Sequence, residues 1–160
     1  TVIYEAALNE YAPLGIEAAV TNTATVSGTG ITPVTAAETV NAEAAPNLAI
    51  TKSVSPVPVT ENGTLTYTFR IQNYGSVAAT NTTGVVITDT FAPVLNNLTA
   101  ALNGTAWTAT TDYTYNEATG TFSSTAGAIT VPAATYTQDS TTGAWVVTPG
   151  ESTLVITGTV

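Results

Sequence analysis

The stretch Leu48-Ala49-Ile50-Thr51-Lys52-Ser53-Val54 alternates with period two: Leu48, Ile50, Lys52 and Val54 share one face, while Ala49, Thr51 and Ser53 share the other. That is the period of a half-buried strand. Lys52 interrupts the apolar face, and it is the only lysine in a chain of 160 residues. An unpaired ammonium in an apolar interior is very costly, so an amine aimed at a core is expected to have a partner or a task.

The same alternation recurs outward from this stretch. Leu65, Tyr67, Phe69 and Ile71 alternate with Thr66, Thr68, Arg70 and Gln72. Val85, Ile87, Asp89 and Phe91 alternate with Val86, Thr88 and Thr90, and Val20, Asn22, Ala24 and Val26 with Thr21, Thr23 and Thr25. Turn residues fill the gaps at Glu61-Asn62-Gly63, Asn73-Tyr74-Gly75, Asn103-Gly104, Thr119-Gly120, Thr142-Gly143 and Pro149-Gly150. The pattern predicts an all-β antiparallel sandwich. On propensity alone, Ala36 to Ala45 is the one stretch that carries a turn of helix.

Composition narrows the function. Charged residues make up 8% of the chain and hydrophobic ones 44%, which argues against disorder and leaves a surface of threonine, serine and asparagine. The net charge is -9, and Arg70 is the only cation besides Lys52. Nucleic acid and anionic membrane both call for clusters of lysine and arginine, so neither is an expected partner. The absence of histidine, cysteine and methionine removes the usual metal ligands, thiol nucleophiles and commonest general base, so neither a metal nor a cofactor is expected. A classical enzyme is not expected either. The apolar runs are far too short for a membrane span. Thr1 opens directly on a strand-like segment, which reads as a mature or excised segment.

Both ends of the chain bear on its organisation. Leu154, Ile156, Gly158 and Val160 share one face, and joining Val160 to Thr1 would continue the alternation through Val2 and Tyr4. Elsewhere, the strand-like stretch from Pro33 to Glu43 reaches the Lys52 strand through only Ala44, Ala45, Pro46 and Asn47. A return across a sandwich covers about 30 Å, roughly nine extended residues. The expectation is therefore that residues 1–45 are closing strands that complete an adjacent unit, a donor segment, and that residues 46–160 are an incomplete, accepting sandwich. Either a tandem protein cut at an arbitrary register or separate subunits exchanging strands would produce this. A circularly permuted single domain is the third arrangement.

Five strings together resemble one family: Leu48-Ala49-Ile50-Thr51-Lys52-Ser53-Val54, Leu65-Thr66-Tyr67-Thr68-Phe69 through Asn73-Tyr74-Gly75, Val86-Ile87-Thr88-Asp89-Thr90-Phe91, Pro149-Gly150-Glu151-Ser152, and Thr21-Asn22-Thr23-Ala24-Thr25-Val26. The family is the conserved repeat domain of unassigned function in bacterial and archaeal cell-surface proteins. The motif that closes a family domain comes first here, so the order is permuted. The resemblance implies an immunoglobulin-like sandwich and an extracellular, cell-surface location in a filament, pilus-like fibre, stalk or adhesin. Such modules are similar to those of Gram-positive pili that carry spontaneous isopeptide crosslinks.

Lys52, Asp89 and Asn22 each replace an apolar residue on an inward face. An isopeptide bond needs this trio: Lys52 as nucleophile, the Asn22 carboxamide as electrophile, and Asp89 as the assisting acid that polarises the carbonyl and shuttles protons. Low dielectric favours the neutral amine and the protonated acid that such a reaction requires. Tyr67, Phe69 and Phe91 are the candidate apolar surroundings, and near-attack geometry makes the step effectively unimolecular. The simpler reading is a buried Lys52–Asp89 ion pair capped by Asn22. With residues 1–45 in another unit, Asn22 and Lys52 would react between units.

The remaining signals are weaker. Asn62, Asn81, Asn97 and Asn103 begin glycosylation sequons, which a threonine-rich chain also produces by chance. Asp112, Glu117 and Asp139 lack the spacing of a calcium loop. Trp107, Tyr113, Tyr115, Tyr136 and Trp145 either line a glycan groove or form cross-strand packing pairs. Two functions follow: a structural unit whose partners are copies of itself, or an adhesin repeat that binds a host protein or glycan.

Overall fold

A computed structural model describes residues 3–15 and 18–160. Twelve strands account for its regular structure among these residues: β1 (Ala19–Gly28), β2 (Ile31–Asn41), β3 (Leu48–Ser55), β4 (Thr64–Asn73), β5 (Thr88–Thr90), β6 (Asn96–Leu102), β7 (Thr105–Ala106), β8 (Tyr113–Asn116), β9 (Thr121–Ser124), β10 (Thr135–Gln138), β11 (Trp145–Thr148) and β12 (Gly150–Thr159). A 3-10 turn, Asn81–Thr83, precedes β5. All of the strand ladders are antiparallel, as the alternation predicts. Among the described residues no helix is long and apolar enough to cross a membrane.

The chain divides into two compact units. One comprises Thr1–Ala44 and Thr135–Thr148, and the other Ala45–Ala134 and Pro149–Val160. The break near Pro46 thus falls at 44/45. The sequence reading is corrected in one respect: residues 135–148, read as part of the 46–160 sandwich, group with the N-terminal segment. In that unit Trp145 N–H donates to Glu10 O at 2.8 Å. Such a long-range contact leaves no trace in local periodicity.

The larger unit contains two sheets, ordered β3-β4-β12-β6-β7 and β5-β9-β8, an arrangement compatible with a β-sandwich. The inner face of β4 contributes Leu65, Tyr67, Phe69 and Ile71, and β12 contributes Leu154 and Ile156. From the smaller sheet and its margins, Ile87, Phe91, Phe122 and Tyr113 join the same core cluster. Tyr67 meets Phe91 between the sheets at 4.7 Å between ring centroids, and Phe91 in turn meets Phe122 of its own sheet at 6.4 Å. The Asn103-Gly104 turn links β6 to β7 with both residues at positive φ, 50° and 80°, the geometry of a tight two-residue hairpin.

Asn73 closes one end of this unit. Its fully buried amide accepts from the N–H groups of Asn47 and Gly75, both at 2.9 Å, and donates to Val77 O at 2.7 Å and Pro132 O at 3.0 Å. Gly75 must sit against the backbone of residues 45–47, because a Cβ there would overlap Ala45 O and Asn47 N. Gly75→Ala is therefore expected to cost on the order of 2–3 kcal/mol, read as a lower denaturation midpoint at unchanged m.

The smaller unit contains two hairpins, β1–β2 and β10–β11. The stretch Ala36–Ala45, which helical propensity favours, continues β2 to Asn41, since the ladder with β1 overrides the alanines. Residues 3–15 contain no strand, so the alternation through Tyr4 is not realised; Thr1 and Val2 lie outside the described residues.

Candidate functional site

β3 and β5 are each one edge of their sheets, the opposite edges being β7 and β8: β3 pairs with β4 and β5 with β9, and among the described residues no strand pairs with either on its other side. A groove of about 180 Å³ lies between them, lined by Leu48, Ile50 and Ile71 on one wall and Val85, Val86 and Ile87 on the other. Its walls are apolar, and the inner face of β3 is left uncovered. Ile50, which parity assigns to a core, is 53% exposed.

Lys52 and Asp89 meet at one end of this opening. The ammonium donates to Asp89 Oδ2, and its nitrogen lies 4.9, 5.4 and 5.3 Å from the ring centroids of Tyr67, Phe69 and Phe91. The three rings that the alternation offers as apolar surroundings thus lie close to the amine, within cation–π range. Asp89 Oδ1 accepts from Thr90 N–H at 2.9 Å, a group on the open edge of β5. The expectation of a buried amine is corrected: the Lys52 side chain is 40% exposed and that of Asp89 17%. β3 is an edge strand whose inner face no strand covers among the described residues, so inward parity does not produce burial.

Asn22 stands on β1, in the smaller unit, where every residue of β1 and β2 is exposed. The hairpin nevertheless has one apolar face. The register pairs Val20 with Val40, Ala24 with Ala36 and Val26 with Val34, and Val34 and Val40 are 65% and 70% exposed. Two polar residues interrupt this face, and they are direct partners: Asn22 opposite Glu38. The sequence reading missed Glu38. The signal was present as the alternation Val34, Ala36, Glu38, Val40 beside a stretch of helix-favouring alanines.

The other candidates resolve into structural roles. Asn103 donates to Ser152 Oγ and accepts from Thr153 N–H, so its amide is engaged in packing. Asp139 accepts from Thr142 and Thr141 N–H, which holds its carboxyl below the usual range and closes the β10–β11 turn. Among the described residues no group of three or more acids is placed to hold a metal ion. Tyr113 is buried against Phe122, with its phenol pushed up by burial, and Tyr115 O–H donates to Leu95 O. Trp107 packs on the same core, while Tyr136 and Trp145 belong to the β10–β11 hairpin. The five aromatics therefore do not make one platform within a unit.

Compared with known proteins, the chain matches no family model, no curated protein and no solved structure.

Proposed function

We propose that the chain is a structural subunit or repeat of an extracellular filament, pilus-like fibre or surface stalk, in which the N-terminal segment of one copy completes the immunoglobulin-like sandwich of the next. One observation carries this reading. The larger unit has an uncovered apolar inner face on β3 beside two open strand edges, and the same chain carries an exposed hairpin with one apolar face. Open edges and uncovered apolar faces are aggregation liabilities unless a partner strand covers them. The five motifs that resemble the surface-repeat family support the same location and role.

The covalent part of the proposal is an isopeptide bond between Lys52 and Asn22 of the neighbouring copy. Proton transfer from the Lys52 ammonium to Asp89 leaves a neutral amine and a neutral acid. The amine lone pair adds to Asn22 Cγ, and Asp89 hydrogen-bonds to the carboxamide oxygen. The new N–C bond forms, the C–NH2 bond breaks, and ammonia departs with the second amine proton relayed through the carboxyl group. The Lys52–Asp89 contact and its aromatic surroundings support this assignment, and they equally suit an assembly held by the ion pair alone.

Native material is expected to image as fibres, and boiling in detergent to leave a ladder of multimers whose mass falls by one ammonia per junction. Discrete monomers by electron microscopy would sink the filament reading. Fibres that boil down to chains of unmodified mass would remove only the bond.

A further inference from the structure

Resting on the strand-donation reading, we infer the junction itself: β1 of a second copy adds antiparallel to the open edge of β5, in the register that places Asn22 opposite Asp89, with β2 outside it and Glu38 at the rim beside Lys52.

Strand count and the uncovered face of β3 together select the edge, since of the two edges of the smaller sheet it is β5, through Val85–Ile87, that borders the groove on β3. A five-stranded sheet faces a three-stranded one, and the strand left uncovered is β3. Adding a two-stranded hairpin to β5 gives five strands on each side and lays a new strand over β3. Adding it to β3 would extend the larger sheet and leave Leu48, Ile50 and Val54 exposed.

Backbone parity selects the direction. Along β5 and the residues flanking it, the inward Ile87, Asp89 and Phe91 turn their backbone groups toward β9 and its ends: Ser124 N–H donates to Ile87 O, and Phe91 N–H to Gly120 O. The open edge therefore belongs to Thr88 and Thr90. On β1, Ala42 N–H donates to Ala18 O, so the ladder with β2 uses Ala18, Val20, Asn22, Ala24 and Val26. Its open edge belongs to Thr21, Thr23 and Thr25. Antiparallel addition brings these groups together, Thr21 with Thr90 and Thr23 with Thr88 as hydrogen-bonded pairs. Val20, Ala24 and Val26 then face inward with Phe91, Ile87 and Val85. Parallel addition would turn the threonines inward instead.

Charge selects the strand. Were β2 the neighbour of β5 at this level, Glu38 would lie directly opposite Asp89, a destabilising pair of like charges. With β1 as the neighbour, the pair is Asn22 and Asp89, at a non-hydrogen-bonded position where side chains approach most closely. Docking also changes Asp89. Thr90 N–H, now held by Asp89 Oδ1, passes to Thr21 O, which frees that oxygen for the incoming amide.

The chain lacks cysteine, so the register can be read by placing two. Thr23→Cys with Thr88→Cys, both at exposed positions, puts the sulfurs on directly opposed residues within disulfide reach. Fibres of this double variant are expected to carry a 23–88 disulfide between copies, seen by peptide mass spectrometry and lost on reduction. The Thr23→Cys, Thr90→Cys pair, two residues out of step, is expected to give none. A 23–90 link, or fibres with neither link, overturns the register and leaves strand donation standing. A wild-type chain that forms no fibres overturns both. Amide exchange on wild-type fibres provides a reading without substitutions: the Thr21, Thr23 and Thr88 amides gain protection relative to the unassembled chain, and continued fast exchange there overturns the proposed edge.

Discussion

Fibres of Lys52→Arg are expected to fall apart into single chains in boiling detergent, whereas wild-type fibres leave a ladder. The guanidinium keeps the positive charge, the pairing with Asp89 and the stacking on Tyr67, Phe69 and Phe91, but it stays protonated and has no amine lone pair to offer Asn22. Assembly and covalent linkage are thereby separated. Fibres persist because the groove and both open edges are untouched, and only the bond is lost. Asp89→Asn makes the complementary change, removing the proton shuttle while leaving the nucleophile in place. Its ladder should form about 10²–10⁴-fold more slowly, the usual contribution of a positioned acid or base. A ladder at the wild-type rate in Lys52→Arg would show that another group makes the link. Monomers in the wild type itself would reduce the site to an ion pair.

Much of this arrangement was legible in the sequence because it is local. The alternation of Leu65, Tyr67, Phe69 and Ile71 becomes the inner face of β4, and the Asn103-Gly104 turn closes a hairpin where the two residues tolerate positive φ. Val85 to Phe91 reads as a full strand, yet only Thr88–Thr90 is regular, because Ile87 N–H is taken by the Ser124 hydroxyl instead of a backbone carbonyl. The side-chain parity still holds, which is why Lys52 and Asp89 meet as the pattern predicts. Pairing order was not legible: nothing local places β12 between β4 and β6. Burial was misjudged for the same reason. Period two assigns a face to Lys52, but whether anything covers that face depends on strands that are remote in sequence.

Asn73→Ala is expected to destabilise the larger unit by about 4 kcal/mol, since it removes four hydrogen bonds from a fully buried amide and strands their backbone partners. The melting temperature of that unit should fall by roughly 20 °C. The loss reaches beyond one turn, because Asn73 ties the entry of β3 at Asn47 to residues 75–77 and to Pro132. Asn73→Asp tests the donor half of the contact alone. The new carboxylate still accepts from Asn47 and Gly75, but its second oxygen faces the Val77 and Pro132 carbonyls, lone pair against lone pair. Protonation restores a donor toward one of them, so the folded state favours the protonated form and the folded pKa is raised. The sign follows: stability is greatest below the ordinary aspartate value of about 3.9 and declines as pH rises toward the folded value. Denaturant titrations of both variants between acid and neutral pH check this. An alanine variant within about 1 kcal/mol of wild type, or an aspartate variant whose stability does not decline over that range, would mean that the Asn73 amide does not hold these segments together.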